Sequence, residues 1–256
     1  MSDVLIDKSV DGVLLLTINR PERRNALSIP LRQEMATHVN AFSADPSLRA
    51  LVITGDDKAF AAGADLVELG QRTVFDQGFE TAKVLWRAME TCPKPIIAAV
   101  RGYALGGGCE LMLQCDIIIG GEGAKFGQPE VKVGIMPGAG GTQRFLRAAG
   151  KAKTMRWVLT GDTIDAATAL DMGIISEVVA DERVLEHAMG IAKQIAALPP
   201  LAVTAIKQCV LLGQDASLPA ALAHEQKAFQ LLFASEDRAE GIKAFLERRP
   251  PAFKGV

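Results

Sequence analysis

The chain has 256 residues, 49% of them hydrophobic, and a formal net charge of −2. That is ample material for a buried core, in one large domain or two small ones, and it excludes a global attraction to nucleic acid or anionic membranes. No apolar run approaches the roughly 20 residues of a membrane span, and Met1-Ser2-Asp3-Val4 shows no basic stretch leading into an apolar one, so a cytoplasmic protein without membrane contact is expected.

Val4 to Ile6 and Val13 to Ile18 are β-type runs joined through Asp11-Gly12, which predicts a hairpin. Pro21 ends the second strand, and residues 22 to 27 read as a polar loop. Ser28 and Pro30 can start a helix that carries Leu31, Met35, Val39 and Phe42 at helical spacing and stops at Asp45-Pro46. Ala50 to Thr54 is a buried strand. A run of small residues, Phe60 to Ala64, leads from it into the short helical stretch Asp65 to Leu69. Ile96 to Val100, followed by Gly106-Gly107-Gly108 and Glu110, faintly echoes the same strand, turn and helix order, which hints at stacked repeats. Residues 71 to 80 are polar and read as a loop suited to vary substrate fit.

Asp116 to Ile119 predicts another short strand, and Val131 to Ile135 is apolar on alternate positions. Thr142 reads as the cap of a helix from Gln143 to Ala149, closed by Gly150. Thr163 to Leu170 predicts a helix, Ile174 to Val179 a strand, and Arg183 to Leu198 an amphipathic helix. Beyond Pro199-Pro200 nearly everything reads helical, with Leu222, Phe229, Leu232 and Phe233 on apolar stripes. Such stripes fit either a core or an oligomer contact.

Cys92, Cys109, Cys115 and Cys209 form no C-x-x-C pair and have no histidine at ligand spacing, so no metal site is expected and the thiols read as reduced and mostly buried. His38, His187 and His224 lie in polar helical stretches and read as surface residues. The glycine-rich turns match neither a P-loop nor a G-x-G-x-x-G dinucleotide unit. Two carboxylates stand out. Glu110 follows three glycines and Glu130 follows Gly127-Gln128-Pro129, and both have apolar neighbours. A carboxylate in such surroundings titrates closer to neutrality, and two of them facing one substrate suit acid–base work. Glycines beside a helix start allow backbone N–H groups to hold a developing oxyanion.

Five blocks carry a resemblance: Asn19 to Leu27 (NRPERRNAL), Ala59 to Leu66 (AFAAGADL), Ala104 to Glu110 (ALGGGCE), Phe126 to Glu130 (FGQPE) and Pro137 to Arg144 (PGAGGTQR). In this order they resemble the crotonase (enoyl-CoA hydratase/isomerase) family. The resemblance implies an α/β fold, a right-handed spiral of ββα repeats over residues 1–198, and a helical C-terminal trimerisation region over residues 199–256. It implies a homotrimer or a dimer of trimers acting on an acyl-CoA, with no cofactor, since CoA is part of the substrate.

The same resemblance puts the backbone N–H groups of Ala64 and Gly107 on the thioester oxygen and makes Glu110 and Glu130 the acid/base pair. Ala26, Ala62, Asp65, Leu66, Gly106, Gly108 and Gly138 match positions around the substrate. Arg24, Lys58 and Arg248 are candidates for the CoA phosphates, with Arg23 beside them, and Arg248 reaches from a neighbouring subunit in this reading. The implied activity is hydration of a 2-trans-enoyl-CoA to a 3-hydroxyacyl-CoA, as in fatty-acid β-oxidation or aromatic-acid degradation. An enoyl-CoA isomerase of the same family, which needs one well-placed carboxylate, is the alternative, and a non-catalytic oligomeric binding protein is a third.

Overall fold

The structure, a computed structural model, describes residues 2–73 and 83–256. Of the polar stretch 71 to 80, positions 74–80 lie outside the described residues. Strands β1 (Val4–Asp7) and β2 (Val13–Ile18) form the expected antiparallel hairpin. Beyond β2 the larger sheet continues in parallel through β3 (Ala50–Thr54), β5 (Ile96–Val100), β7 (Ile117–Gly121) and β10 (Glu177–Val179). Strands β3 and β5 are buried along their whole length, which is why their sequences are almost continuously apolar rather than alternating.

The second sheet is made of very short strands. β4 (Ala59–Ala61), β6 (Tyr103–Leu105) and β8 (Lys125–Gly127) run parallel, and β9 (Ile164–Asp165) closes the edge antiparallel to β8. β3, β5 and β7 are each followed by one of these short strands, so the chain winds through two sheets in successive turns. The echo between residues 50–69 and 96–110 is therefore a real repeat: Ala59 pairs with Tyr103, and Ala61 with Ala104. This winding is the spiral of ββα repeats that the resemblance implies.

Helix α1 (Ile29–Ala44) starts at Ser28, whose hydroxyl accepts the Leu31 N–H at 3.4 Å. It buries Leu31, Met35, Val39 and Phe42 against one face of the large sheet, together with Leu51, Ile53, Phe60 and Phe126. Helix α2 (Leu66–Gly70) follows β4, and α3 (Val84–Thr91) packs on α1. Helix α4 (Gly107–Met112) follows β6 and is buried throughout. The other face of the large sheet takes α7 (Val184–Ala196), whose Val184, Ala188, Ala192 and Ala196 meet Val13, Val52, Ile97 and Ile119.

The alternation at residues 131–135 is not a strand: Pro129–Val133 is a 3-10 turn, ended by Gly134 at φ 80. Three local expectations are corrected. Thr142 is not a cap. Helix α5 (Gly141–Thr160) has Gly140 at φ 99 in that position, and it resumes after a break at Gly150 (φ 72, ψ 168) instead of ending there. The stretch from Thr163 opens as β9, and its helix α6 (Ala166–Asp171) begins only after Asp165, which accepts the Thr168 N–H at 2.8 Å. Only the last three residues of 174–179 are strand, while Ile174 and Ile175 point into the core.

The chain ends in α8 (Pro200–Gly213), α9 (Leu218–Leu232) and α10 (Glu236–Glu247). α8 and α9 bury no residue, and Leu218, Phe229, Leu231, Phe245 and Leu246 are all at least 60% exposed. Among the described residues no single helix is long and apolar enough to cross a membrane. The apolar pair α7 and α8 is bent by 112°.

Candidate active site

The second sheet sets the geometry. Where β4 ends, Gly63 turns at φ 110 and its carbonyl accepts the Leu27 N–H at 2.8 Å, while Leu27 bridges to Ala64. Where β6 ends, Gly106 turns at φ 51 and α4 begins. The two turns lie side by side. A Cβ built on Gly107 would stand 3.6 Å from the Ala64 nitrogen, and one built on Gly63 would stand 3.9 Å from the Gly107 nitrogen. Among the described residues neither N–H has a protein acceptor. Two adjacent unspent donors at buried or half-buried positions are the preparation an oxyanion needs.

Gly108 permits this approach. A Cβ there would fall 1.9 Å from the Ala61 carbonyl oxygen, so only glycine lets α4 lie against β4. Gly106 serves a second purpose: a Cβ there would meet Glu130 Oε1 at 3.0 Å. The Glu130 carboxyl thus lies over the start of α4, beside the paired donors.

Glu110 sits one turn into α4 and is only 3% exposed. Its Oε1 accepts two backbone N–H groups, from Ala139 at 2.7 Å and from Gly141 at 2.8 Å. These belong to the glycine-rich turn before α5, which Arg144 braces by donating Nη1 to the Ala139 carbonyl at 2.9 Å. Glu130 is half-buried in the 3-10 turn after β8. Burial first, and the negative charge of Glu110 second, raise its pKa to about 7, against the partial opposition of its own backbone N–H. The amide of buried Gln128 stands 3.0 and 3.3 Å from the two Glu130 oxygens and donates to both when its nitrogen is assigned to that side. The sequence pointed to both glutamates but not to Gln128, Ala139 or Gly141, whose roles depend on contacts made across the fold.

The other expected positions separate into those near this centre and those away from it. Ala26 and Ala62 are half-buried on neighbouring loops, joined where the Ala62 N–H donates to the Arg24 carbonyl at 3.0 Å. Arg24 is exposed at φ 50. Next to it, Asn25 is fully buried at φ 57. Its Oδ1 accepts the Arg20 N–H at 2.8 Å, and its Nδ2 donates to the Ala59 carbonyl at 2.7 Å. Asn25 therefore pins the loop to the start of β4, a role its polar loop sequence did not announce. Asp65 caps α2 through the Val67 N–H at 3.1 Å and lies 3.7 Å from Arg20 Nη2, while Leu66 is exposed. Lys58 is exposed on the turn before β4. Gly138 is exposed with open space beside it. Arg248, at the end of α10 with φ 54, is exposed, and among the described residues no contact joins it to the two glutamates.

The cysteines are free. Burial pushes the thiols of Cys109 and Cys115 well above their ordinary range, so neither is disposed to act as a thiolate.

The sequence profile of the Enoyl-CoA hydratase/isomerase family matches residues 8–256. The chain is 46% identical to a 2,3-dehydroadipyl-CoA hydratase of Escherichia coli over 255 residues, covering 100% of both chains. It is 43% identical to a mitochondrial enoyl-CoA hydratase of Pongo abelii over 242 residues, covering 94% of this chain and 83% of that one. An enoyl-CoA hydratase structure from Bacillus anthracis superposes with a TM-score of 0.95 at 35% identity, covering 100% of both chains.

Proposed function

The chain belongs to the enoyl-CoA hydratase/isomerase (crotonase) family, and we propose that it is a hydro-lyase that adds water across the 2,3 double bond of a 2-trans-enoyl-CoA. The observation that carries this reading is the clustering of two unspent backbone donors, Ala64 and Gly107, with two carboxylates of unlike surroundings, Glu110 and Glu130.

In this reading the thioester oxygen accepts the Ala64 and Gly107 N–H groups. As negative charge builds on it toward an enolate, each fixed donor contributes about 3 kcal/mol without reorganisation. Glu110 has Oε1 occupied by two N–H groups and Oε2 left to take a proton from water, so that hydroxide oxygen bonds to the β-carbon. Glu130, whose burial raises its pKa to about 7, gives its proton to the α-carbon. Proton exchange between the two carboxyls or with solvent resets the pair.

Ala26 and Ala62 offer backbone to the CoA moiety, with Asp65, Leu66, Gly106, Gly108 and Gly138 around the pantetheine and acyl path, and no further cofactor enters. Arg24 and Lys58 meet the CoA phosphates. The exposed apolar faces of α8, α9 and α10 fit further copies of this chain, in a trimer or a dimer of trimers in which Arg248 serves a neighbouring site. Residues 1–198 are then the catalytic core and 199–256 the assembly region. The substrate of the Escherichia coli relative ends in a second carboxylate, which makes dicarboxylic enoyl-CoA esters candidates here.

The test is ultraviolet absorbance of crotonyl-CoA mixed with the protein. Loss of the conjugated-enoyl band with the wild type, but not with Glu110→Gln or Glu130→Gln, is the expected result. A band that persists with crotonyl-CoA but grows from a 3-enoyl-CoA overturns hydration in favour of double-bond migration.

A further inference from the structure

Arg32 lies one turn into α1 and is only 8% exposed, in the row that otherwise buries Leu31, Met35, Ala36 and Val39. Among the described residues its guanidinium makes no hydrogen bond or ion pair, and its Nε is buried without an acceptor. What it has is the face of Trp86 on α3, with Cζ 5.6 Å from the ring centroid. A buried guanidinium with no anion is costly, and fixed cations of this kind are normally matched by a carboxylate or phosphate.

Among the described residues the carboxylates near it make no hydrogen bond or ion pair with it. Glu68 commits Oε2 to the Ile29 N–H at 2.9 Å, and Glu110 commits Oε1 to Ala139 and Gly141. Both are near enough to favour the charged guanidinium, while burial and Arg72 oppose it. The electrostatic influence of Glu110 puts Arg32 on the same side of the candidate site as that carboxylate, which the hydration reading sets beside the β-carbon. The start of α1 leads there directly, since the Leu27 side chain stands 3.7 Å from the Cβ position of Gly107 and α1 begins two residues later. The CoA phosphates do not fit as the missing anion: they are strongly hydrated and belong at the exposed Arg24 and Lys58, whereas Arg32 is inside.

We infer that Arg32 receives the terminal carboxylate of a dicarboxylic 2-enoyl-CoA, with Trp86 as the apolar wall along which the acyl chain runs. A planar guanidinium offers that carboxylate two parallel N–H groups, and water is excluded from the pair. The inference rests on the hydration reading and specifies its substrate class: acyl groups that end in a negative charge are selected, and uncharged ones of the same length leave the guanidinium without its anion. No bond to Arg32 forms or breaks.

The experiment compares kcat/KM for 2,3-dehydroadipyl-CoA and for hex-2-enoyl-CoA, which has the same length and no terminal charge. It uses the wild type, Arg32→Met and Arg32→Lys, with Tm measured for each. The wild type is expected to prefer the dicarboxylate, Arg32→Met to cut that preference about 100-fold, and Arg32→Lys to restore part of it as a point charge without the fork. The split is expected mainly in KM, which a residue that merely supported the fold would not produce. Wild-type turnover of hex-2-enoyl-CoA with no preference for the dicarboxylate overturns this inference and leaves hydration standing. An equal loss on both substrates in Arg32→Met also overturns it. Wild type inert toward both substrates overturns the hydration reading and this inference with it.

Discussion

Gly141 donates its backbone N–H to Oε1 of Glu110 at 2.8 Å, across 31 residues of sequence, and Ala139 donates to the same oxygen at 2.7 Å. One carboxylate oxygen is thus a structural joint between α4 and the start of α5, and the other is the one the hydration reading gives to water. Glu110→Gln preserves the joint, because the amide oxygen accepts both donors, and it replaces by an NH2 group the oxygen that takes the proton in the hydration reading. The expected outcome is a loss of at least about 1,000-fold in kcat with Tm nearly unchanged. Glu110→Ala leaves two buried N–H groups without an acceptor and is expected to lose about 2–4 kcal/mol of stability as well, measurable by thermal unfolding of the two variants side by side.

Glu130 titrates at about 7 in the fold, against 4.5 for an ordinary glutamate. The folded chain therefore holds this proton more tightly than the unfolded chain. Between those two values stability falls as pH rises, and the full penalty is present above pH 7. Glu130→Gln removes it. Tm of the variant minus Tm of the wild type is expected to grow from pH 5 to pH 8. A difference that stays flat across that range would show that the carboxyl titrates normally.

The same titration sets an activity limit. Where Glu130 acts as the proton donor to the α-carbon, hydration is expected to decline above about pH 7 as the donor ionises. A kcat profile that keeps rising to pH 9 contradicts that role for Glu130.

Gly108→Ala tests the contact between α4 and β4. The added methyl would fall 1.9 Å from the Ala61 carbonyl oxygen, so the helix must move and carry the Gly107 N–H with it. If the Gly107 N–H is the oxyanion donor of the hydration reading, a fall of at least about 100-fold in kcat is expected together with a lower Tm, since displacing one such donor accounts for a loss of that order.

Arg32→Met is expected to raise stability by about 1–3 kcal/mol while it erodes selection for a charged acyl end, because removing an unmatched buried charge relieves its desolvation. Urea unfolding of the apo protein checks the sign, and a clear destabilisation would mean the guanidinium is well matched without substrate.

Much of the fold was legible because burial dictates sequence directly. β3 and β5 read as unbroken apolar runs because both of their faces are covered, and Ser28 marked the start of α1 by its hydroxyl. The 3-10 turn at Pro129–Val133 was not legible, since Val131 and Val133 alternate like a strand yet are exposed on a turn closed by Gly134. The resumption of α5 after Gly150 was hidden because a positive-φ glycine ordinarily ends a helix. In the site, Glu110 and Glu130 announced themselves as acids among apolar residues. Their partners did not, because Ala139 and Gly141 act through backbone. Arg32 was passed over in a helix read for Leu31, Met35, Val39 and Phe42, since one charge in such a stripe looks like its solvent edge until the packing is seen.

Strands β4, β6 and β8 lie side by side in parallel, and Ala64, Gly107 and Glu130 stand just beyond their ends. Adjacent strands of any sheet are held about 4.8 Å apart by backbone hydrogen bonds. The separation of the two donors, and of the acid beside them, is therefore a property of main-chain periodicity, like the repeat of a lattice. Side chains of this wall can be exchanged without recalibrating the distance between the two donors, which the hydration reading assigns to the thioester oxygen.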